Sequence, residues 1–157
     1  MKTRISFVVA GFGIVSVMAP IRAAAEEKVN FISAKKVEAD IRDAPEKGPG
    51  LSWVDYATTS KYLTGVIRRT EPGKAEVHEG MTDIWYVISG SGTLITGGTL
   101  VEPAETDPGE FRGKAVAGGE TRLVAKGDII TIPAGVPHWI SKIDREIIYL
   151  IVKAATK

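Results

Sequence analysis

Residues 127–138 read GDIITIPAGVPH, and this stretch decides the fold. A short apolar run follows the turn residues Gly127 and Asp128, and it is stopped by Pro133 and Gly135. The stretch ends on His138, one of only two histidines in the 157-residue chain. The pattern predicts a strand between two turns, with a histidine just after the second turn.

The other histidine lies in AEVHEGMTDIWYVISGSG, residues 75–92. Alternate residues of a strand share a face, so Glu76 and His78 are expected to point together, as are Asp83 and Trp85 on the following run. If these faces are buried, each unpaired carboxylate costs several kcal/mol. A divalent cation between them would remove that cost.

The first of these stretches resembles the second motif of the cupin superfamily. Gly127, Pro133, Gly135 and His138 occupy each defining position up to the histidine. Lys142 replaces the asparagine that often closes that motif. The resemblance implies a small antiparallel β-barrel of the jelly-roll type.

The stretch around the other histidine is similar to the first cupin motif, which runs from a glycine through His-x-His and a glutamate to a closing glycine. Gly90 fits the closing glycine, Asp83 the glutamate and His78 the second histidine. Glu76 stands in the position of the first histidine and Thr70 in that of the opening glycine. A gap of 36 residues separates the two motifs, and the resemblance extends over residues 63–152.

The resemblance implies a metal ion in the barrel, with His78, Asp83, His138 and Glu76 as candidate ligands. Two imidazoles and one or two carboxylates suit Fe, Mn, Zn or Ni and leave coordination positions open for a substrate. The sequence does not choose among these metals. Glu76 is also the candidate catalytic residue, as a general acid or base.

Other roles are open for the same residues. In isolation His138 reads as a hydrogen-bonded core histidine. Glu76 can ligate, move a proton, or only pair with Arg68 or Arg69. Asp83 is shorter than glutamate and reaches a metal only if the backbone approaches it. Glu79 follows His78 by one residue and is expected to face outward, so we predict that it is a surface residue.

Two residues are candidates for substrate contact. Trp85 is expected to line the barrel, with core packing as the alternative. Arg112 lies in residues 99–117, a segment broken by proline and glycine that reads as a solvated loop or extended hairpin, or as a lid or interface arm. Folded over the barrel, Arg112 could bind a substrate carboxylate; the alternative is a solvated arginine.

The rest of the chain predicts one small all-β domain with a short N-terminal helix. Ser33 can cap a helix over residues 34–44, within an N-terminal extension of residues 26–50. From residue 51 to 157 we count nine strand-like runs separated by turn residues, which is typical of a barrel or sandwich.

Residues 1–25 are typical of a secretory signal peptide. Lys2 and Arg4 precede an uncharged run that is too short for most transmembrane helices, and three alanines follow before Glu26. An uncleaved membrane anchor is the alternative. Cleavage predicts an exported protein, periplasmic or extracellular, without stable membrane insertion.

Composition excludes several classes of function. Removing residues 1–25 takes three of the 20 basic residues, leaving 17 against 19 acidic ones. No basic cluster remains for a nucleic acid. The chain has no cysteine, so disulfides, thiolate ligands and a cysteine nucleophile are excluded.

The fold alone does not choose a function, since cupins include dioxygenases, isomerases, decarboxylases, lyases and proteins that only bind a ligand. We predict an exported metal-dependent enzyme of the dioxygenase, isomerase or lyase type, acting on a small, anionic molecule. The alternatives are a non-catalytic small-ligand-binding cupin and a metal-free interaction scaffold. The resemblance also implies a homodimer.

Overall fold

A computed structural model describes residues 29–156 of the chain. The predicted signal peptide, residues 1–25, lies outside the described residues. Within residues 29–156, no helix is both long and apolar enough to cross a membrane.

One helix precedes the strands, as predicted. It is α1, which spans Ala34–Asp43, and the hydroxyl of Ser33 accepts a hydrogen bond from the Lys36 amide at 3.3 Å. This bond satisfies one of the amides that the first turn leaves without a helical partner. The helix ends before Pro45, as the sequence predicts. Ile41 is its buried residue.

Strands make up most of the remainder, so the predicted all-β class is confirmed. They are β1 (Glu46–Gly48), β2 (Leu51–Thr58), β3 (Tyr62–Arg69), β4 (Ala75–His78), β5 (Met81–Thr96), β6 (Thr99–Val101), β7 (Ala104–Asp107), β8 (Glu110–Gly113), β9 (Ala115–Ala117), β10 (Glu120–Ala125), β11 (Ile129–Ile132) and β12 (His138–Ala155).

The strands form a curled antiparallel sheet. Its order runs β1-β2-β3-β12-β4-β8-β7, and β5 pairs with β10, β11 and β12. Strands β6 and β9 form a separate two-stranded ribbon. Because β5 and β12 pair over almost their whole length, they hold the two halves of the curl together.

Four of the predicted runs join in pairs. Runs 83–88 and 92–96 are both part of β5, and runs 138–143 and 145–152 are both part of β12. The residues that predicted a break bend the strands instead. Gly90 adopts a φ of 79°, and the pairing of β12 with β5 changes register at three places.

The proline-rich segment 99–117 is ordered as strands, which confirms the extended-hairpin alternative. Its β7–β8 hairpin pairs with β4 through β8. Glu76 therefore lies opposite Arg112, and His78 opposite Glu110. The segment adds charged side chains to the barrel wall. It forms strands at the edge of the sheet and not the solvated loop that was the other prediction.

The core fills the concave side of the curled sheet. Trp85 and Val87 of β5 lie opposite Ile151 and Tyr149 of β12, and all four are buried. These residues belong to one cluster, which also contains Leu94, Val124, Ile132, Ile140 and Ile147. Asp83 belongs to the same inward series, two residues before Trp85. The predicted alternation of inward and outward side chains along β5 is thus confirmed.

Candidate metal centre

The two histidines meet inside the barrel. His78 is the last residue of β4, His138 is the first residue of β12, and the two strands pair there through His138 and Glu76. The imidazole centroids are 5.2 Å apart, and each histidine is only 3% exposed. Residues distant in sequence are brought together because both strands end at the same side of the barrel.

Each imidazole has one nitrogen occupied by a neighbour and one free. The Nδ1 of His78 lies 2.5 Å from Oε2 of Glu110, and the Nδ1 of His138 lies 3.1 Å from the carbonyl oxygen of Val136. Both neighbours are hydrogen-bond acceptors, and the tautomer that carries its proton on Nδ1 would leave the lone pair of Nε2 available to a metal. Among the described residues, neither Nε2 has a hydrogen-bond partner, although both are buried.

Two carboxylates face these free nitrogens. Oε2 of Glu76 lies 3.4 Å from Nε2 of His78 and 4.0 Å from Nε2 of His138. Oδ2 of Asp83 lies 3.7 Å and 3.8 Å from the same two atoms. Ligand atoms of Glu76, His78 and His138 all lie within 4.8 Å of one another. Glu76, His78 and His138 therefore surround one point, and Asp83 approaches the two histidines from beside that group.

This donor set fits a divalent transition metal. Buried polar atoms in proteins are nearly always partnered, so two unpartnered imidazole nitrogens facing carboxylate oxygens need an explanation. A cation bound to both Nε2 atoms and to Glu76 would satisfy them together. Carbonyl or water ligands alone would suit Ca²⁺ or Mg²⁺, whereas imidazole nitrogen favours Fe, Mn, Zn or Ni.

Glu76 is ionised at neutral pH. Burial raises the pKa of its carboxyl group, but the His78 imidazole and the charges of Arg112 and Arg69 outweigh burial and lower that pKa to about 2. Nη2 of Arg69 donates to Oε1 at 3.3 Å, and Nη2 of Arg112 lies 4.0 Å from Oε2. Glu76 therefore pairs with Arg69, as one of the alternatives predicted. This ion pair uses Oε1 and leaves Oε2 directed at the histidines.

His138 is a neutral imidazole at neutral pH. Burial lowers the pKa of its ring below the ordinary value, and the nearby Glu76 carboxylate offsets only part of this effect. A neutral ring is the form that binds a metal. The other basic neighbour suggested for Glu76, Arg68, instead donates to Glu146 at 2.9 Å.

Asp83 is held by two donors. Its side chain is 2% exposed, and Nζ of Lys153 donates to Oδ1 at 2.9 Å. Nε1 of Trp85 donates weakly to Oδ2 at 3.4 Å. The shorter side chain does approach both histidines, but it already has a charged partner.

The predicted substrate residues both lie beside members of the cluster, Trp85 near Asp83 and Arg112 near Glu76. Trp85 is buried with its ring edge against His138, at 5.8 Å between centroids, and its face near Tyr149. Arg112 lies on β8, half-buried, with Nη1 3.4 Å from Oε2 of Glu110. Glu79 is exposed, as predicted.

Comparison with solved structures identifies the architecture. An RmlC-like cupin from Shewanella frigidimarina is 13% identical and has a TM-score of 0.54, with 83% of this chain and 94% of that chain covered. KdgF from a Halomonas species is 16% identical with a TM-score of 0.54, over 73% of this chain and 87% of that chain. A predicted oxalate decarboxylase from Thermotoga maritima is 14% identical with a TM-score of 0.51, with 74% of this chain and 88% of that chain covered.

The chain has the cupin fold. The resemblance drawn from its two motifs is thereby confirmed, and identities this low carry the fold alone. No protein-family model matches the chain, and no curated protein matches it.

Two residues of this site were not predicted from the sequence. Glu110 orients His78, but it lies in the segment 99–117, for which the sequence left a loop, an extended hairpin and a lid open. Lys153 binds Asp83 because the two lie opposite each other on β12 and β5. The inward direction of the Lys153 side chain could be predicted, since Lys153 continues the alternation of Tyr149 and Ile151. That Asp83 is its partner could not be predicted, because the pairing depends on the register between distant strands.

Proposed function

We propose that this cupin is an exported metal-dependent enzyme that acts on a small anionic molecule. The observation that carries the proposal is the pair of buried Nε2 atoms of His78 and His138, which have no hydrogen-bond partner within residues 29–156 and lie within 4.0 Å of Oε2 of Glu76. Nitrogen atoms in this state are expected at a site that binds a cation.

Glu76, His78 and His138 would hold the metal, and Asp83 would join them if its carboxylate turned from Lys153. A bound transition metal supplies Lewis-acid polarisation of a substrate oxygen, or redox chemistry if it is Fe or Mn. One of the similar structures is named as a predicted oxalate decarboxylase, which is compatible with an enzymatic role for this barrel.

The protein's own groups prepare the site. Glu110 fixes the ring of His78, and Arg69 holds Oε1 of Glu76. Trp85 and Tyr149 fill the barrel behind the histidines and exclude water there. With a pKa of about 2, Glu76 has no proton to donate at neutral pH, which favours a ligand role over that of a general acid.

The test is elemental analysis of the protein purified without chelator or affinity tag, beside the double variant His78→Ala, His138→Ala. We expect near-stoichiometric transition metal in the wild type and none in the variant. Glu79→Ala, which changes an exposed neighbour of His78, is the matched control and should keep its metal. Equal metal content in all three proteins would reject the site.

A second candidate function is supported by the ion pairs of the cluster. Arg69 neutralises Glu76 and Lys153 neutralises Asp83 without any metal. A metal-free cupin that binds a small ligand, or that serves as an interaction scaffold, would keep both pairs. A melting temperature that does not respond to added Fe, Mn, Zn or Ni would favour this candidate.

Export and self-association are further parts of the proposal. Export is supported by the pattern of residues 1–25, and it predicts an isolated protein that begins at Glu26. Mass spectrometry of the protein from an exporting host would find the first residue, and retention of Met1 would favour the membrane anchor. The homodimer rests on the fold resemblance, and sedimentation of the purified protein measures it.

A further inference from the structure

A cleft opens beside the candidate metal centre, on the concave face of β2, β3 and β12. Its volume is about 350 Å³, which is within the range of small-ligand sites. A smaller cavity of about 50 Å³ reaches His138 and Trp85. Arg69, Glu76 and Lys153 line both spaces, so the cleft borders the candidate metal centre.

A glycine makes room for this cleft. Inward-facing residues form a row across four strands, in which Trp85 pairs with Ile151, Ile151 with Gly65, and Gly65 with Asp55. Gly65 has no side chain, so the row has a gap above the sheet. A Cβ atom at Gly65 would lie 2.6 Å from the carbonyl oxygen of Val54, so the position excludes a larger residue.

The sides of the cleft are apolar. Trp53 and Ile67 are opposite each other on β2 and β3, and Leu63 lies opposite Lys153 on the next pair of strands. All three line the cleft together with Ile151. Such walls favour a ligand that has an apolar body of a few carbon atoms.

The charges around the cluster balance without a metal and become positive with one. Three cations, Arg69, Arg112 and Lys153, contact three carboxylates, as described above. The cleft and inner cavity also contain one further charge of each sign, Asp55 and Lys74. A divalent metal bound at this cluster therefore adds two positive charges to a balanced set, which an anionic ligand would neutralise.

Arg112 is the side chain best placed to bind that anion. It lines the cleft, and its Nη2 approaches Oε2 of Glu76 only at 4.0 Å. Oε2 is also the atom that faces both histidines. Once a metal binds Oε2, the Nη2 atom of Arg112 can turn to a carboxylate, which a guanidinium recognises through two parallel hydrogen bonds.

We propose that the cleft binds a small carboxylic acid with an apolar body, its carboxylate on Arg112 beside the metal and its apolar part against Trp53, Leu63 and Ile151. This inference rests on the proposed function, which supplies the positive charge. It deepens that function by naming the substrate class: an amphipathic monocarboxylate.

The test measures binding of three probes to the full chain by calorimetry after loading with Zn²⁺. Benzoate has both the charge and the apolar body, benzamide lacks the charge, and acetate lacks the ring. We expect benzoate to bind at least about tenfold more tightly than either of the other two. Benzamide binding as tightly as benzoate would overturn the anionic part of the proposal, and acetate binding as tightly would overturn the apolar part.

Variants assign the two parts to residues. Arg112→Gln should weaken benzoate binding about tenfold and leave benzamide unchanged. Lys114→Gln, at an exposed position next to the same strand, is the matched control and should have no effect. Leu63→Ala should weaken benzoate binding but not acetate binding. If Arg112→Gln does not fold, the probe series and Leu63→Ala still decide the proposal.

Zinc content, measured on the same samples, separates the two proposals. Stoichiometric zinc without preference for benzoate would reject the cleft and keep the metal centre. Absence of bound zinc, and of Fe, Mn and Ni after loading with each, would reject the metal centre. The probe series on that metal-free protein would then decide the cleft, with preference for benzoate supporting it and no preference overturning it.

Discussion

The ammonium group of Lys153 binds the carboxylate of Asp83 from the neighbouring strand, at 2.9 Å to Oδ1 and 3.2 Å to Oδ2. Asp83 occupies the position of the glutamate in the cupin motif, and its side chain is 2% exposed. Lys153 and a metal would therefore compete for one buried carboxylate. The strength of metal binding depends on which of them holds it.

Lys153→Met should make the protein bind metal more tightly and be less stable without it. Removing one partner of a buried ion pair leaves Asp83 unpaired, which should cost about 3 kcal/mol of unfolding free energy in the metal-free protein. The freed carboxylate should raise metal affinity about tenfold. Chelator competition and urea denaturation measure the two effects.

The control for this variant is Lys142→Met, because Lys142 is exposed and contacts only the exposed Asp144 among the described residues. It should leave both quantities unchanged. Weaker metal binding by Lys153→Met would mean that Lys153 places Asp83 correctly for the metal, and equal binding would mean that Asp83 is not a ligand.

Substitutions of Glu76 should change metal binding in opposite directions. Glu76→Gln removes the charge that faces both histidines and should weaken binding at least about tenfold. Glu76→His restores the usual residue of the motif and should tighten it. Glu79→Gln is the matched control on the exposed side of the same strand end. If both Glu76 variants retain metal as the wild type does, Glu76 does not belong to the ligand set.

Glu110→Gln should weaken metal binding without removing a ligand. The carboxylate of Glu110 accepts the Nδ1 proton of His78 and thereby directs Nε2 into the site. Loss of such an orienting carboxylate commonly costs about 10- to 100-fold in metal affinity. Glu102→Gln, whose carboxylate is exposed and binds Lys114, is the control. An affinity equal to that of the wild type would show that the amide orients the ring equally well.

The sequence was sufficient to predict that Glu76, His78, Asp83 and His138 lie near one another, because motif spacing and strand alternation act within short stretches; their role as ligands stays a prediction. The inward series of Asp83, Trp85 and Val87 follows from the two-residue period of a strand, whereas the proximity of His78 and His138 follows from the resemblance to the two cupin motifs. The fold class follows from the number of short runs and their turn residues.

The surroundings of those ligands could not be predicted in the same way. Glu110 reaches His78 because β8 pairs with β4, and Lys153 reaches Asp83 because of the register between β12 and β5. Such pairings join residues that are 32 and 70 positions apart. A shift of one residue would reverse each side chain, and no local pattern reports that register.

Gly90→Ala should destabilise the protein far more than Gly127→Ala, although both glycines are motif positions with positive φ, of 79° and 95°. A left-handed conformation costs alanine about 1–2 kcal/mol at either position. A Cβ atom at Gly90 would also collide with the carbonyl oxygen of Glu146 in β12, whereas none of the described atoms outside the immediate chain lies within 4 Å of the one at Gly127. The collision should add about 1–3 kcal/mol. Urea denaturation of both variants measures the difference, and equal losses would mean that β12 shifts to accept the methyl group.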